Sequence, residues 1–249
     1  PSLAGGRAAH AAIVEAVRLV QAGHADALTT APICKANLVA AGMAGSGHTE
    51  MLAALAGDVP VRMMMVGPRL RVALVTTHLA LAAVPRAVSA PLVGETLAVV
   101  HRALRERFGI ARPRLGVAGL NPHAGEQGVF GDEEIRVIAP AVRAARRRGI
   151  DARGPLAADS LFPLALAGQY DAVVCMYHDQ GLAPFKLLHF ADGVNFTAGL
   201  PFVRTSPDHG TAHDIAGRGI ADARSMAAAL RLAAQLAGAT AARQPRRAA

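Results

Sequence analysis

Apolar residues recur along the chain with two different periods, and the two alternate. Ala172 to Met176 form a continuous apolar run, which is typical of a strand buried on both faces of a parallel sheet. Ile13, Val17 and Val20 instead recur at helical spacing, and Gly23 follows as a stop signal. The predicted strands are 25–30, 62–66, 71–77, 115–120 and 172–176, and the predicted helices are 7–22, 51–56, 93–108, 132–148 and 225–236. Strands that alternate with helices indicate the α/β class.

Three of the predicted strands are followed closely by a histidine. His78, His123 and His178 each come within three residues of the end of an apolar run. Ligands of open α/β sheets bind at the carboxyl ends of the strands, and three neutral imidazoles with an open position form a catalytic site for a divalent metal. Any one of these histidines could simply cap a strand or bond a backbone group. Their recurrence in one context favours a shared metal site.

Two further segments carry candidate site residues. Residues 42–50 form a Gly-rich loop that leads into a helix, and free N–H groups at a helix start suit a phosphate or carboxylate. Lys35 follows a predicted strand, where it is either a solvated loop residue or a point charge that holds an anion. Residues 154–162 are predicted to be a loop that carries Asp159, for which a helix N-cap is the simpler interpretation.

Length and composition limit the class of protein. With 249 residues, 52% of them hydrophobic, and a mean hydropathy of +0.30, the chain suits one large or two small α/β domains. No apolar run approaches the length of a membrane span and no signal peptide is evident, so a cytoplasmic protein without membrane contact is expected. Cys34 and Cys175 lack paired-motif spacing and are expected to be reduced thiols.

The net charge of +8 raises the question of nucleic-acid binding. Nearly all of the positive charge is arginine scattered along helices, and Lys35 and Lys186 are the only lysines. Without Trp, and with two Tyr, the chain lacks the aromatic platforms on which bases stack. We therefore expect no nucleic-acid partner.

The motifs together resemble the 4-hydroxythreonine-4-phosphate dehydrogenase family of pyridoxal phosphate synthesis. They cover nearly the whole chain. The matching stretches are TAPICK (30–35), GHTE (47–50), TTH (76–78), NPHAGE (121–126), GPLAAD (154–159), MYHDQG (176–181), GVN (193–195), PFVRTS (201–206) and DHGTA (208–212).

This resemblance implies a fold like that of isocitrate and isopropylmalate dehydrogenases. Such a fold is a three-layer αβα arrangement in two domains, with the site in the cleft between them. Residues 1–50 and 205–249 would belong to the N-terminal, cofactor-side domain, and 51–204 to the metal- and substrate-binding domain. Members of the family begin with a further segment that includes a PGDPxGIGPE-like stretch, so the N-terminal domain is expected to be incomplete here.

The resemblance also implies roles for individual residues. A divalent metal (zinc, magnesium or cobalt) would be held by His78, His123 and His178, with the ligand set completed across a homodimer. Contacts to a phosphorylated substrate fall on His48, Thr49, Lys186, Asn195 and Arg204. Contacts to NAD, or to NADP, are assigned to His209, Gly210 and Asp214, for which an ordinary tight turn is the simpler interpretation. Asp179, Asp159 and Lys35 are the candidates for the general base, and no sequence argument separates them.

The expected reaction is NAD-dependent oxidation of 4-phosphohydroxy-L-threonine with decarboxylation to 3-amino-2-oxopropyl phosphate. A sister group that oxidises 4-phospho-D-threonate or 4-phospho-D-erythronate has almost the same motifs and stays an alternative. A relative that acts on aromatic cis-dihydrodiol carboxylates is disfavoured by the intact GHTE loop. A His-metal hydrolase or lyase, and a non-catalytic remnant, are the alternatives from other classes.

Overall fold

The computed structural model describes residues 2–43 and 47–243, where strands and helices alternate as predicted. The strands are β1 (Ala27–Thr29), β2 (Arg62–Val66), β3 (Arg71–Leu74), β4 (Arg114–Ala118), β5 (Asp151–Leu156), β6 (Ala172–Cys175), β7 (Val194–Ala198) and β8 (Val203–Pro207). The helices are α1 (Leu3–Gln21), α2 (Lys35–Ala40), α3 (His48–Leu55), α4 (Val84–Ala87), α5 (Ala90–Glu106), α6 (Ala139–Arg147), α7 (Ala158–Leu166), α8 (His178–His189) and α9 (Arg224–Arg243). The predicted α/β class is confirmed.

The chain divides into two compact units. Residues 1–61 and 191–249 form the first unit, and residues 62–190 form the second. The sequence-based division changes over at 50/51 and 204/205 instead. The boundaries differ because β7 pairs with β8, and because Val61 packs against the apolar core of the first unit. The functional roles predicted for the two domains stay predictions.

The sheet of the second unit carries the three predicted histidines. Its strand order is β2-β3-β6-β4-β5, and every neighbouring pair is parallel except β2 with β3. All four residues of β6 are buried, which confirms that this strand is covered on both faces. Val173 and Cys175 pack in one cluster with Leu182 and Phe185 of α8. The apolar residues of β6 therefore also hold α8 in place by packing against its buried side chains.

Strand β5 corrects the prediction of a loop at residues 154–162. The strand continues through Leu156, and it pairs with β4 through Gly116 and Arg153. Gly154 and Pro155, joined by a cis peptide bond, had indicated a loop. Proline is tolerated here because β5 lies at the edge of the sheet, where it need not donate a ladder hydrogen bond on its outer side.

Helix α8 begins at His178 and was not among the predicted helices. Gly181 makes the docking of this helix on the sheet feasible. A Cβ built at Gly181 would lie 2.5 Å from Cγ1 of Val72 on β3, closer than van der Waals contact allows. The glycine is therefore required for the close approach of helix and strand.

In the first unit, β8 pairs with β1 in parallel and with β7 in antiparallel orientation. The core includes Ile13, Val17 and Val20 of α1, which confirms the helical spacing of these residues. The helix begins at Leu3 rather than Arg7, because the Ser2 hydroxyl accepts a hydrogen bond from the backbone N–H of Gly5. The short helix α2 was not predicted.

Both cysteines are free thiols, as expected. Cys175 is completely buried on β6, and burial raises the pKa of its thiol far above the ordinary value. The thiol therefore stays protonated and acts as a small apolar side chain.

Among residues 2–43 and 47–243, no single helix is long and apolar enough to span a membrane. The segments Leu81–Ala87 and Ala90–Glu106, which meet at 89°, reach that length and hydropathy only when they are taken together.

Candidate active site

The three predicted metal ligands lie beyond the carboxyl ends of adjacent parallel strands. Strands β3, β6 and β4 are consecutive in the sheet, and they lead to His78, His178 and His123, respectively. The sheet therefore delivers all three residues at the same edge of the second unit.

His78 and His178 are close to each other. Their ring centroids are 5.6 Å apart. Nδ1 of His178 lies 2.7 Å from Oδ1 of Asp179, so the carboxylate can orient the imidazole and leave Nε2 to bind a metal. A histidine held by a carboxylate in this way is the usual arrangement around a protein-bound metal.

His123 occupies a different local setting. Among the described residues, no three His, Cys, Asp or Glu side chains converge closely enough to hold a metal ion. The structure therefore pairs His78 with His178 but does not bring His123 into a three-ligand group with them. The shared metal site stays a prediction.

A cavity of about 560 Å³ joins His123 to one of the candidate bases. Its lining consists of Leu120, Asn121, Pro122, His123, Ala158, Asp159, Phe162, Tyr177, Gln180 and Pro184. Helix α7 begins at Ala158, so Asp159 lies within its first turn, and Ala157 takes the N-cap position. Oδ1 of Asp159 accepts a hydrogen bond from the backbone N–H of Ser160. Asp159 thus faces the same cavity as His123, whereas Asp179 contacts His178 and has a side chain that is 85% exposed.

Gln180 was missed by the sequence reasoning. Its Oε1 accepts a hydrogen bond of 2.7 Å from the backbone N–H of Met176, and its Nε2 donates one of 2.7 Å to the carbonyl oxygen of Gly119. The side chain therefore ties the end of β6 to the end of β4. Gln180 is part of the motif MYHDQG, but the sequence does not show that its side chain joins two strands. Only the hydrogen bonds of the folded chain reveal this.

In the first unit, Arg204 is the most unusual of the predicted substrate contacts. The residue is 2% exposed on β8. Nη1 donates to the hydroxyl of Thr197 and Nη2 to the hydroxyl of Thr30, and Nε has no hydrogen-bond partner within residues 2–43 and 47–243. Burial lowers the pKa of the guanidinium to about 10, so it is still charged at neutral pH. A buried cation with neutral hydroxyl partners is costly unless an anion joins it.

His48 lies near this guanidinium at the first position of α3. Burial, and secondarily the positive charge of Arg204, lower the pKa of His48 to about 4. The imidazole is therefore neutral at pH 7, which limits the repulsion between the two side chains. A neutral imidazole can donate one hydrogen bond and accept another, so it remains able to contact a phosphate.

Other predicted substrate contacts lie in the same unit. Asn195 is on β7, and its buried Oδ1 has no hydrogen-bond partner among the described residues. Thr49 follows His48 in the first turn of α3. Lys35 is the first residue of α2, and its Cε lies 3.9 Å from the position that a Cβ would take at Gly47, the N-cap of α3. Residues 44–46 of the Gly-rich loop lie outside the described residues.

The remaining predicted residues are placed as follows. Lys186 is half-buried on α8 of the second unit. His209 and Gly210 lie on an exposed loop of the first unit, where Nδ1 of His209 is 2.9 Å from the carbonyl oxygen of Gly210. Asp214 lies in a short 3₁₀ turn, His213–Ile215. The roles of these four residues in substrate and cofactor binding stay predictions.

Polar and titratable side chains that follow the carboxyl ends of parallel strands are the arrangement found in α/β enzymes. The profile of the family described as pyridoxal phosphate biosynthetic protein PdxA matches residues 1–233, and the chain belongs to that family. The resemblance found in the motifs is thereby confirmed.

Individual relatives agree with this assignment. The chain is 60% identical over 237 residues to 4-hydroxythreonine-4-phosphate dehydrogenase of Geobacter metallireducens, a match that covers 95% of this chain and 70% of the relative. It is 53% identical over 237 residues to D-threonate 4-phosphate dehydrogenase of Cupriavidus necator, covering 95% and 71% of the two chains. The crystal structure of 4-hydroxythreonine-4-phosphate dehydrogenase from Klebsiella pneumoniae superimposes with a TM-score of 0.89 at 46% identity, over 95% of this chain and 72% of that one. The chain is accordingly an oxidoreductase.

Proposed function

We propose that this oxidoreductase oxidises 4-phosphohydroxy-L-threonine with NAD or NADP and releases carbon dioxide, to give 3-amino-2-oxopropyl phosphate. The names of its relatives support this substrate. The single observation that carries the proposal is the buried guanidinium of Arg204. In the described part of the chain its side-chain partners are hydroxyl groups, and its Nε has no hydrogen-bond partner. A phosphate would supply the missing negative charge.

The phosphate end of the substrate would be held in the first unit. Arg204 offers a planar fork of N–H donors that suits phosphate oxygens. His48 and Thr49, in the first turn of α3, add a neutral imidazole and a hydroxyl where the helix dipole is positive. Asn195 supplies a further polar group, whose side-chain oxygen accepts no hydrogen bond from the described residues. Lys186, on α8, is the fifth proposed contact.

The reacting end of the substrate would lie at the strand-end histidines, with a divalent cation. One cation bound there would act as a Lewis acid on the hydroxyl oxygen of the alcohol whose carbon is oxidised. His78 and His178 fit such an ion, because their rings are adjacent and Asp179 can orient His178. An all-imidazole donor set suits zinc or cobalt better than magnesium, which prefers oxygen ligands. We propose that His123 takes part and that a homodimer completes the ligand set.

The reaction also needs a hydride acceptor and a general base. The substrate alcohol loses a hydride from carbon to the nicotinamide ring, and a general base takes the hydroxyl proton. Asp159, Asp179 and Lys35 are the proposed candidates for that base. The ketone that results stands β to the carboxylate, so the carbon–carbon bond to the carboxylate breaks and carbon dioxide leaves. The electron pair of that bond forms an enolate, which takes up a proton at the same carbon to give the product ketone. His209, Gly210 and Asp214 are proposed to contact the nicotinamide cofactor.

A second candidate substrate is D-threonate 4-phosphate. The 53% identity to the Cupriavidus necator dehydrogenase that is named for it favours this alternative. Both substrates end in a phosphate, so Arg204 and His48 would serve either one.

The experiment that tests the proposal is an absorbance assay of nicotinamide reduction with purified protein. Each candidate substrate is supplied in turn with NAD, and kcat/KM is compared between them. Faster turnover of 4-phosphohydroxy-L-threonine is expected. Faster turnover of D-threonate 4-phosphate would transfer the proposal to the second substrate, and turnover of neither would refute the dehydrogenase assignment for this chain.

A further inference from the structure

Glu134 is a buried carboxylate that the reaction chemistry does not use. It is 3% exposed and begins a π-helical turn, Glu134–Ile138. Its Oε1 accepts hydrogen bonds of 2.7 Å from the backbone N–H groups of Leu120 and Asn121, and its Oε2 accepts one of 3.0 Å from Nδ2 of Asn121. These bonds join the carboxylate to the chain between β4 and His123. A buried carboxylate with several N–H partners is held far more firmly than a surface one.

The segment that follows has an unusual backbone. His123, Ala124, Glu126 and Gln127 all have positive φ angles, between 41° and 57°, and Gly125 lies among them at 80°. Consecutive left-handed residues are unfavourable for L-amino acids. The conformation therefore persists because the surroundings hold it.

Glu134 is in contact with this left-handed turn (residues 123–127). A Cβ built at Gly125 would lie 2.6 Å from Oε2 of Glu134, and one built at Gly119 would lie 3.0 Å from Oε1. The carboxylate thus sits between the end of β4 and the middle of the turn. Glycine at both positions leaves the space that the carboxylate fills.

From this geometry we infer that Glu134 is a positioning residue, whose carboxylate holds the left-handed turn and thereby sets the place of His123. The inference rests on the proposed function for what His123 does. Glu134 would act through the backbone of residues 120–127, without contact to substrate or metal. Groups that orient a metal-binding histidine typically change metal affinity by about 10- to 100-fold when they are altered.

The test variant is Glu134→Gln, which keeps the size of the side chain. Its single oxygen can still accept from the two backbone N–H groups, but its NH₂ then faces Nδ2 of Asn121, and both are donors. Rotating the Asn121 amide would lose the 2.7 Å hydrogen bond from Nδ2 to Oε2 of Glu133. Asn121→Ala is the second variant, because it removes the side-chain donor and leaves Glu134 in place.

Asp171→Asn is the matched control. Asp171 also accepts a hydrogen bond from a backbone N–H of β4, but at Arg114, the opposite end of the strand from His123. It is also paired with the Arg114 side chain. Both substitutions therefore weaken hydrogen bonds between a carboxylate and the backbone at one end of β4. Asp171 bonds the first residue of the strand, and Glu134 bonds Leu120 and Asn121 just beyond its last residue.

The first measurement is amide hydrogen exchange in the absence of metal. Glu134→Gln is expected to speed exchange at residues 120–128 by about tenfold or more, relative to Asp171→Asn at the same residues. Asn121→Ala should also speed exchange at residues 120–128, by a smaller factor. If Glu134→Gln does not fold, the exchange of Asn121→Ala tests the inference in its place. Equal exchange at residues 120–128 in the Glu134 or Asn121 variant and in the control would overturn the inference.

The second measurement is the affinity for Co²⁺, titrated into the wild type, Glu134→Gln, His123→Ala and the double variant. A loss of about tenfold or more is expected for Glu134→Gln, and it should vanish when His123 is already absent. A Glu134→Gln affinity equal to that of the wild type, with His123→Ala weakened, would overturn the inference and leave the proposed function standing. If the wild type binds no Co²⁺, the proposed metal role fails, and the exchange comparison alone still decides whether Glu134 holds the turn.

Discussion

At the scale of single residues, the placement of charge distinguishes the proposed phosphate contacts from an ordinary core. Arg204 is buried against the hydroxyl groups of Thr30 and Thr197. The pKa of His48 is lowered to about 4, first by burial and secondarily by the charge of Arg204, so its imidazole is neutral at pH 7. We propose that this pairing of a fixed cation with a neutral imidazole receives the phosphate.

The first prediction concerns Arg204. Arg204→Met should weaken binding of inorganic phosphate or of the phosphorylated substrate by about 10- to 100-fold, because charge-assisted hydrogen bonds are lost. Calorimetric titration measures this directly. Arg224→Met is the control, because Arg224 is exposed and paired with Asp222. Equal affinities of the Arg204 variant and the wild type would show that the guanidinium does not bind the phosphate.

The second prediction is a pH dependence of stability caused by His48. Its pKa is near 6.5 in the unfolded chain and about 4 in the folded one. Between those values the unfolded chain binds a proton that the folded chain does not. The stabilising contribution is therefore complete above pH 6.5 and is lost as the pH falls towards 4.

Urea unfolding of the wild type and of His48→Gln at pH 7 and pH 5 checks this prediction. The wild type should lose more free energy of unfolding between the two pH values than the variant does. The same loss in both proteins would mean that His48 is not neutralised by its surroundings. His24→Gln serves as a control for an exposed histidine of the same unit.

At the scale of elements, helix α8 links core packing to the site. Leu182 and Phe185 anchor it in the cluster beneath, and its first residue is His178. Gly181 lies where the helix comes closest to β3. The position of His178 therefore depends on how tightly this helix packs.

The third prediction compares two helical glycines. Gly181→Ala should lower the free energy of unfolding by about 1–3 kcal/mol, because the new methyl group would overlap Val72. Gly94→Ala, in α5, should leave stability unchanged or raise it by about 0.5–1 kcal/mol, since nothing lies within 4 Å of its Cβ position. Thermal or urea unfolding gives both values. A neutral Gly181→Ala would contradict the close packing of α8.

The elements that sequence could predict are those whose pattern reflects burial. Strand β6 is buried throughout, and its apolar run was unambiguous. Strand β5 and helix α8 were missed because glycine and proline usually interrupt regular structure. Gly154 and Pro155 instead lie within an edge strand, β5. Gly181 instead lies within α8, where the helix packs closely on β3.

At the scale of the whole molecule, strand order explains why histidines far apart in sequence could be assigned to one place. Strands β3, β6 and β4 are parallel neighbours, so residues after their carboxyl ends share one edge of the sheet. The apolar runs predicted the three strands and the histidine that follows each of them, but not the order of the strands in the sheet. The left-handed turn at His123 and the tie made by Gln180 depend on contacts between distant segments, and no local pattern reveals them.

Similarity along the chain and the geometry of the second unit support different parts of the assignment. The family and the dehydrogenase class follow from similarity along residues 1–233. The pairing of His78 with His178 follows from the geometry of the second unit. The participation of His123, and the divalent ion that the three imidazoles would share, form the central proposal.

The most direct test of this claim is metal-dependent turnover. Purified protein is stripped with a chelator, Co²⁺ is returned stepwise, and reduction of NAD by 4-phosphohydroxy-L-threonine is followed by absorbance. We predict that stripping abolishes turnover, that Co²⁺ restores it to the wild type, and that His123→Ala is not restored at the same Co²⁺ concentration. Turnover that survives complete metal removal, or that is restored equally in His123→Ala, would contradict the account.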